Sequence, residues 1–280
     1  MDFKHKYINR IRSRCFKLPF IWSLKVDYLI HRTKIKHQLP ASLIVSLTSY
    51  PARFNTLAKT LKCLLNQSII PDKVILWIAT EDKEKLTAEI LTLKNLDIKF
   101  CKDLKSYKKM IPTLFEFKDC FIVTADDDLY CNYNWLEKLV EQYNGNNNEV
   151  ICHRAHKIIL DENGIPVPYL KWEHPKIETK ASELIFPTCG AGALFPPGIF
   201  NEQVTNSDLF SELCPTSDDI WFWWMVRLNG GLFRKVGPYY RTLNTSKYNQ
   251  IGLWFENLNL GGNDKQMQSM INKFGTDVFK

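Results

Sequence analysis

Three consecutive aspartates, Asp126, Asp127 and Asp128, end an apolar run in the stretch FIVTADDDLY. Carboxylates repel each other, so three adjacent ones require positive charge nearby. Hard oxygen ligands of this kind suit Mg²⁺ or Mn²⁺, which favour carboxylates and keep positions open for phosphate oxygens. The triplet therefore predicts a divalent metal ion that binds a diphosphate and acts as a Lewis acid when the diphosphate leaves. In the structural alternative, one aspartate caps the helix that follows and the others are solvated.

A second acidic pair, Asp218 and Asp219, stands in the stretch CPTSDDIWFWWMVRLNGG. Thr216 and Asp219 have the spacing of a capping box, so a helix is predicted to begin here and to end at Gly230–Gly231. A helix N-terminus keeps a carboxylate ionised, and an ionised carboxylate can accept the proton of an attacking sugar hydroxyl as a general base. The competing interpretation is that both aspartates only complement the helix dipole.

Strand and helix patterns alternate ahead of these residues. The apolar runs SLIVSL, KVILWIA, IKFC and CFIVTA predict four buried strands. Helices are predicted between and after them: one at Leu57–Leu65 capped by Asn55 or Thr56, a charged one from about Glu81 to Lys94, and one with Asn134 and Glu137 as a capping box. This alternation predicts an α/β fold with a doubly wound, mostly parallel sheet.

The predicted sheet places three segments at the carboxyl ends of its strands, where ligands bind in such folds: TSYPARF, KSYKKMIP and the aspartate triplet. The loop CGAGALF adds Gly190, at which the backbone can approach a sugar closely. Three tryptophans, Trp221, Trp223 and Trp224, offer either a sugar-stacking platform or core packing. Trp221 and Trp224 share one face of the predicted helix, which favours core packing for these two. His153 and His156 show no zinc spacing and are interpreted as structural.

A resemblance to a known family rests on an ordered set of motifs: VSLTSYPARF, YKKMIPTL, IVTADDDLYCNYNWLEKL, CHRAHKI, CGAGALFPPGIF and PTSDDIWFWW. Together they resemble bacterial GT-A glycosyltransferases related to glycosyltransferase family 2, and more narrowly the small enzymes of capsule and lipopolysaccharide loci. The resemblance covers about residues 42–260. It implies a GT-A catalytic domain at 41–280, with a nucleotide-sugar half at 41–150 and an acceptor half at 151–280, behind a leader at 1–40.

The resemblance also implies roles for the matching positions. Asp126 would lie near the ribose and the hydrated metal, Asp128 would bind the metal directly, and Asp219 would be the base with Asp218 beside it. With Gly190 added, the predicted nucleotide-sugar contacts are Tyr50, Arg53, Lys108 or Lys109, Asp126 and Asp127. GT-A enzymes often add a histidine ligand from the C-terminal part. This sequence has no histidine after His174, which leaves that position to Asn244, Asn249 or water.

The net charge of +7 is concentrated at the N-terminus. Residues 1–40 carry ten Lys and Arg against two Asp, a net charge of +8, and the remaining 240 residues sum to about −1. Residues 1–36 are therefore predicted to contact an anionic membrane surface, with a packed helix as the alternative. The neutral body argues against nucleic-acid binding. Eight cysteines without framework spacing, and no apolar stretch that could span a bilayer, predict a reduced cytoplasmic protein, peripheral on the inner face of the cytoplasmic membrane.

These features predict an inverting, metal-assisted glycosyltransferase. It would move a sugar from a nucleoside diphosphate sugar, with a UDP-sugar favoured, to a hydroxyl of a surface-glycan or lipid-linked glycan acceptor. A nucleotidyltransferase also needs a two-carboxylate metal site, but it usually has a glycine-rich loop after the first strand, which TSYPARF lacks. The non-enzymatic alternative is a membrane-associated carbohydrate-binding or scaffold protein. A carboxylate near the anomeric centre is also compatible with a retaining mechanism.

Overall fold

The computed structural model describes residues 34–175, 177–237, 243–244 and 255–280 of the 280-residue chain. The strands of this part are β1 Ile35–Lys36, β2 Leu43–Thr48, β3 Ile69–Ile70, β4 Lys73–Ala79, β5 Asp97–Cys101, β6 Phe121–Ala125, β7 Leu129–Tyr130, β8 Glu149–Cys152, β9 Ala155–Lys157, β10 Ile185–Pro187, β11 Ala193–Phe195, β12 Leu232–Lys235 and β13 Leu243–Asn244. Its α-helices are α1 Phe54–Leu65, α2 Ala88–Leu91, α3 Ile111–Glu116, α4 Trp135–Val140, α5 Ser207–Leu213, α6 Asp218–Leu228 and α7 Gly262–Phe274.

A seven-stranded sheet forms the centre of the molecule, in the order β12-β8-β11-β6-β2-β4-β5. Parallel pairs join β6 to β2, β2 to β4, β4 to β5 and β8 to β12. Within this sheet only β11 runs the other way, antiparallel to both β6 and β8. The predicted α/β fold with a mostly parallel sheet is confirmed.

The side chains of each strand alternate between two cores, one on each face of the sheet. In β2, Leu43, Val45 and Leu47 pack with the apolar residues of α1 and α4, whereas Ile44 belongs to the core that contains α6. Helices therefore cover both faces, as the doubly wound prediction requires. Because β2, β4, β5 and β6 are parallel, the segments that follow them meet at one edge, and the aspartate triplet lies there directly after β6.

The charged segment 81–94 does not form the single helix that its composition predicts. A 3₁₀-helix at Thr80–Lys85 is followed by the short α2, because Leu86 and Thr87 adopt extended backbone between them. The prediction of one long helix here is wrong in extent.

The cap predicted for α1 is also wrong. A 3₁₀ turn, Pro51–Arg53, leads directly into the helix, which begins at Phe54, so neither Asn55 nor Thr56 is the N-cap. The Thr56 hydroxyl instead donates a hydrogen bond to the Arg53 carbonyl at 3.1 Å. Pro51 starts the turn because its fixed φ suits a first helical position.

Neither predicted capping box forms. The side chain of Asn134 makes no capping bond to α4, and the carboxylate of Glu137 accepts from the Ser68 hydroxyl at 3.1 Å. At α6 the N-cap is the residue after Thr216, and Asp219 binds elsewhere, as described below. Tertiary partners, which the local spacing does not contain, recruit both carboxylates.

The three tryptophans of α6 are fully buried, so the predicted sugar-stacking platform is wrong and the core interpretation is confirmed. Each indole N–H has an internal partner: the Val204 carbonyl for Trp221, the Ile185 carbonyl for Trp223 and the Met267 sulfur for Trp224. The helix that presents the second acidic pair is thereby fixed against the sheet. Gly230, with φ of 77°, follows the end of α6 as predicted.

The membrane contact is predicted for residues 1–36, of which residues 1–33 lie outside the described residues. The last two residues of this segment form β1. Seven cysteines of the described part are free thiols. In that same part, no helix combines the length and the apolar character needed to cross a membrane.

Candidate active site

Arg53 supplies part of the counter-charge that the aspartate triplet requires, and the Ser49 hydroxyl adds a hydrogen bond. The guanidinium Nη1 of Arg53 pairs with Asp127 Oδ1 and lies 3.1 Å from Asp128 Oδ2. The Ser49 hydroxyl donates to Asp127 Oδ2 at 2.5 Å, and the Thr60 hydroxyl donates to the Asp127 carbonyl at 2.9 Å. Asp127 is therefore buried and fully engaged within the protein. It ties the loop after β2 to the loop after β6.

Lys109 joins the triplet to the second acidic pair. Its Nζ lies 3.1 Å from Asp126 Oδ1 and 3.0 Å from Asp218 Oδ2, so these two oxygens are at most about 6 Å apart. The Lys109 side chain is only 5% exposed. Lys108 is also buried but pairs with Asp103, so of the two candidate lysines the fold brings Lys109 to the aspartates.

Asp219 faces the same cluster through a backbone contact. Its Oδ1 accepts a hydrogen bond from the Cys189 N–H at 3.0 Å, and the Cys189 thiol interacts with the same carboxylate. Asp218 is 7% exposed and lies against Lys109, whereas Asp219 is partly exposed. Of the two carboxylates, Asp219 is therefore the better placed to accept a proton from a bound molecule.

A single short segment, Thr188–Gly190, forms hydrogen bonds with three of the charged residues, two through their side chains and one through its backbone. It lies between β10 and β11, with a 3₁₀ turn at Cys189–Ala191. Its contacts follow chain order: the Thr188 hydroxyl accepts from Arg154 Nε, the Cys189 N–H donates to Asp219, and the Gly190 carbonyl accepts from the Asp126 N–H at 2.9 Å. The segment therefore sets the spacing between the two acidic groups.

The close approach predicted at Gly190 was to a sugar and stays a prediction; in the structure the close neighbour of Gly190 is a side chain of the protein. A Cβ at this position would lie 1.7 Å from Asp126 Oδ2 and 2.0 Å from Asp126 Cγ. Only glycine leaves room for the carboxylate, because no heavy atoms approach so closely without a bond. Gly190 therefore fixes where the Asp126 carboxylate can sit.

Gly190→Ala is expected to lower the free energy of unfolding by about 1–3 kcal/mol, because the new methyl group must displace the Asp126 side chain or the turn. Urea unfolding of four proteins checks this: the parent, Gly190→Ala, Asp126→Ala and the double variant. Since the clash needs both side chains, Gly190→Ala should cost much less in the Asp126→Ala background. Equal costs in both backgrounds would contradict the assigned contact.

Burial and like charge raise the pKa of two carboxylates to about 6. For Asp128, burial raises the pKa and the charge of Asp126 raises it further, against the attraction of Arg53. For Asp219, burial again acts first and the charge of Asp218 adds to it, against the attraction of Lys109. A carboxyl group with a pKa near 6 is mostly ionised at neutral pH but is a stronger base than an ordinary aspartate.

The pKa of Asp126 moves in the opposite direction. Burial raises it, but the attraction of Lys109 and its hydrogen bond outweigh the burial and leave the pKa below its ordinary value. The pKa of Lys109 is raised, because Asp126, Asp218 and Asp219 together outweigh the effect of its burial. Asp126 and Lys109 therefore stay charged as a pair.

The oxygen donors of the triplet fit a divalent cation. The cluster holds five carboxylates and three cations: Asp126, Asp127, Asp128, Asp218 and Asp219 against Arg53, Lys109 and Arg154. With all of them ionised, two negative charges remain, which a divalent ion balances. In the part of the chain that the structure describes, no three His, Cys, Asp or Glu side chains form a metal-binding group. A metal ion here would have to be bound by one or two carboxylates together with waters and substrate phosphates, as Mg²⁺ commonly is.

The remaining predicted residues lie at the margins of this cluster. Tyr50 is 42% exposed, and the Arg53 guanidinium lies 5.3 Å from its ring centroid. The backbone of Asn244 pairs with Leu129, directly after the triplet, and Asn249 lies outside the described residues.

The two histidines of CHRAHKI are packed within the protein. His153 Nε2 lies 2.8 Å from the Trp135 carbonyl, and the His156 ring packs against the rings of Tyr169 and His174. Burial lowers the pKa of both His153 and His156 to about 4. Both are therefore neutral at physiological pH, which agrees with a structural role.

Sequence reasoning missed the contributions of Ser49, Thr188, Cys189 and Arg154. Three of these contacts use a hydroxyl, in Ser49 and Thr188, or a backbone N–H, in Cys189, and such groups carry no sequence signal of their own. Arg154 lies inside the motif CHRAHKI, between two histidines that were considered as metal ligands. The available signal was an arginine within one of the motifs that carry the family resemblance.

Comparison with known proteins gives one family match. Residues 116–202 match the family model described as Glycosyl transferase family 2. The match contains the aspartate triplet, Arg154 and Gly190, and it supports a GT-A-like glycosyltransferase relationship. No curated protein matches the chain.

Among solved structures, the chain is similar to 4-diphosphocytidyl-2C-methyl-D-erythritol synthase from Anaerococcus prevotii DSM 20548. The two are 15% identical, with a TM-score of 0.48, and the match covers 81% of this chain and 96% of that one. A likeness at this level does not extend to function.

Proposed function

We propose that this protein is a GT-A glycosyltransferase that transfers a sugar from a nucleoside diphosphate sugar to a hydroxyl of a glycan acceptor, with inversion at the anomeric carbon. The main support is the position of Lys109, which contacts both Asp126 and Asp218. A donor bound at the triplet and a base at the start of α6 would then be close enough for the acceptor hydroxyl to contact both. The family match over residues 116–202 supports the same class.

Asp219 is the general base in this proposal. Its Oδ1 is held by the Cys189 N–H, which leaves Oδ2 to accept the proton of the attacking hydroxyl. A pKa of about 6 keeps the carboxylate mostly ionised at neutral pH while making it a better base than an ordinary aspartate. As the hydroxyl loses its proton to Asp219, its oxygen attacks the anomeric carbon on the face opposite the leaving diphosphate.

Asp126 and Asp128 would hold a divalent ion, Mn²⁺ or Mg²⁺, together with the donor diphosphate. When bound, that ion supplies Lewis-acid stabilisation of the negative charge on the departing diphosphate. Arg53 keeps Asp127 and Asp128 in place, and Tyr50 beside it offers an exposed ring to the base of the nucleotide. Lys109 is engaged by two carboxylates, so its role is to position them.

The finer identity of the substrates follows the resemblance of the sequence motifs. It favours a UDP-sugar as donor and a surface glycan or lipid-linked glycan of the capsule or lipopolysaccharide type as acceptor. The basic residues 1–36 would hold the enzyme on the anionic inner face of the membrane, where such acceptors are assembled.

Binding of UDP with Mn²⁺ is expected to raise the melting temperature by about 5–10 °C at 100 times the dissociation constant, because that occupancy adds about 2.7 kcal/mol of stability. Asp128→Asn should remove the metal-dependent part of the shift. Asp119→Asn is the matched control, since Asp119 is exposed at the other end of the same strand, β6. A shift that Asp128→Asn leaves intact would place the nucleotide elsewhere.

The product that is released separates the alternatives. Incubation with UDP-sugars and glycan acceptors should release UDP, as the proposal requires. Release of pyrophosphate from nucleoside triphosphates would instead indicate a nucleotidyltransferase. Glycan binding without any nucleotide-dependent shift would indicate a carbohydrate-binding protein.

A further inference from the structure

Arg154 has an unused guanidinium fork at the edge of the acidic cluster. It lies in the turn between β8 and β9 and is half-buried. Its Nε donates to the Thr188 hydroxyl, which fixes the plane of the group. Among the described residues, neither of its terminal amino groups has a hydrogen-bond or ion-pair partner.

The other arginines of the described residues use their terminal amino groups internally. Arg53 pairs with Asp127 and Asp128, Arg227 donates to the Gly231 carbonyl, and Arg234 contacts Gln142 and Glu178. An arginine that is half-buried, oriented and left without a partner differs from all three. Donors held in this way are available to a bound molecule.

The surroundings of Arg154 place it at the candidate active site. Its charge acts on Asp126 and Asp128 on one side and on Tyr169 on the other, and Tyr169 is also affected by Asp219. Through Thr188 it is attached to the same segment that contacts Asp219 and Asp126. Among the described residues it forms no ion pair with these nearby carboxylates, so its terminal amino groups are available to another acceptor.

We propose that the terminal amino groups of Arg154 bind an oxyanion of the substrate, a phosphate or a carboxylate, in the candidate active site. The planar fork of arginine matches two oxygens of either group in a bidentate contact. This deepens the proposed function and rests on it for the identity of the substrates. The oxyanion belongs either to the donor diphosphate or to an acidic acceptor sugar.

Calorimetric titration of the full chain tests this with four probes: pyrophosphate with Mn²⁺, UDP with Mn²⁺, glucuronate and, as the uncharged control, glucose. Arg154→Met is expected to raise the dissociation constant of the oxyanion probe by about 10- to 100-fold, the effect of losing charge-assisted hydrogen bonds. Arg154→Lys keeps the charge without the fork and should give an intermediate loss. Lys157→Met is the control, because Lys157 is an exposed cation three residues further on.

Each outcome has a distinct meaning. A loss confined to pyrophosphate and UDP assigns Arg154 to the donor diphosphate, and a loss confined to glucuronate assigns it to an acidic acceptor. Equal binding of every probe by the parent and both Arg154 variants overturns the inference, as does a parent that binds none of them. The melting temperature of Arg154→Lys should stay close to the parent value, because this variant keeps the positive charge near Asp126 and Asp128 and loses only the contact with Thr188.

The inference and the proposed function fail separately. Sugar transfer that continues unchanged in Arg154→Met would keep the function and remove the role of Arg154. Anion binding that depends on Arg154, in a protein that releases no UDP from any UDP-sugar and acceptor, would keep the binding fork and remove the proposed reaction.

Discussion

Asp219→Asn is expected to lower kcat by about 10²- to 10⁴-fold, because the acceptor hydroxyl loses its general base. Asparagine still accepts the Cys189 N–H through its side-chain oxygen, so the turn that carries the contact is kept. Initial-rate measurements of UDP release at saturating donor check the effect. The dissociation constant of UDP with Mn²⁺ should change little, since the change is on the acceptor side of Lys109.

Asp218→Asn is the matched control for the base. Asp218 lies beside Asp219 at the start of α6, but its Oδ2 faces Lys109. Its loss should reduce kcat less than the loss of Asp219. A larger effect from Asp218→Asn, or activity of Asp219→Asn within tenfold of the parent, would move the base away from Asp219.

Asp219→Asn should also stabilise the protein above pH 6. The pKa of Asp219 is raised to about 6 in the fold from an ordinary value of 3.8, so its ionised form is less stable folded than unfolded. Removing the charge should add about 1–2 kcal/mol at pH 7–8, after allowance for solvent screening. The gain should shrink as the pH falls from 6 towards 4 and should vanish only below the ordinary pKa of 3.8, where the parent is protonated in both states. Thermal unfolding at several pH values measures it.

Lys109→Met is expected to lower the free energy of unfolding by about 3–5 kcal/mol, because Asp218 would be left buried without its cation and the partly exposed Asp126 would lose the same partner. The loss should be smaller near pH 5, where the abandoned carboxylates take up protons. Chemical unfolding at pH 5 and pH 8 checks both statements. Binding of UDP with Mn²⁺ should weaken as well, since Asp126 loses the contact that positions it.

Lys108→Met is the control for this loss. Lys108 is as deeply buried as Lys109, but its partner Asp103 has a side chain that is 47% exposed and can be solvated after the change. Its cost should therefore be lower than that of Lys109→Met. Equal costs for the two lysines would mean that burial of the chain, and not the bridge between acidic groups, dominates.

The fold was largely predictable because its signals are local. The apolar run KVILWIA is β4 residue for residue, and the run before the triplet is β6. These runs are continuous because both faces of the strand are buried, so they need no knowledge of the rest of the chain. The helices were less predictable: charge alone suggested one helix at 81–94, where the backbone turns instead.

The site was predictable in its residue types and unpredictable in its pairing. The triplet, Asp219 and Gly190 were identified from the sequence, yet nothing local distinguishes Lys109 from Lys108. The choice depends on the 3₁₀ turn that carries both lysines, which directs only one towards the aspartates. Asp219 was read as a cap because its true partner, the Cys189 N–H, lies 30 positions earlier in the chain.

The reversed strand β11 has a consequence for engineering by recombination. It comes from the second half of the sequence but lies in the middle of the sheet, between β6 and β8, and the turn that leads into it contacts Asp126 of the first half. A chimera that exchanges residues 151–280 between two such proteins would therefore exchange a central strand along with Asp218 and Asp219. Crossover points should be chosen so that β6 and residues 188–195 come from the same parent. The pairing of β6 with β11 and the surroundings of Asp126 are then those of that parent.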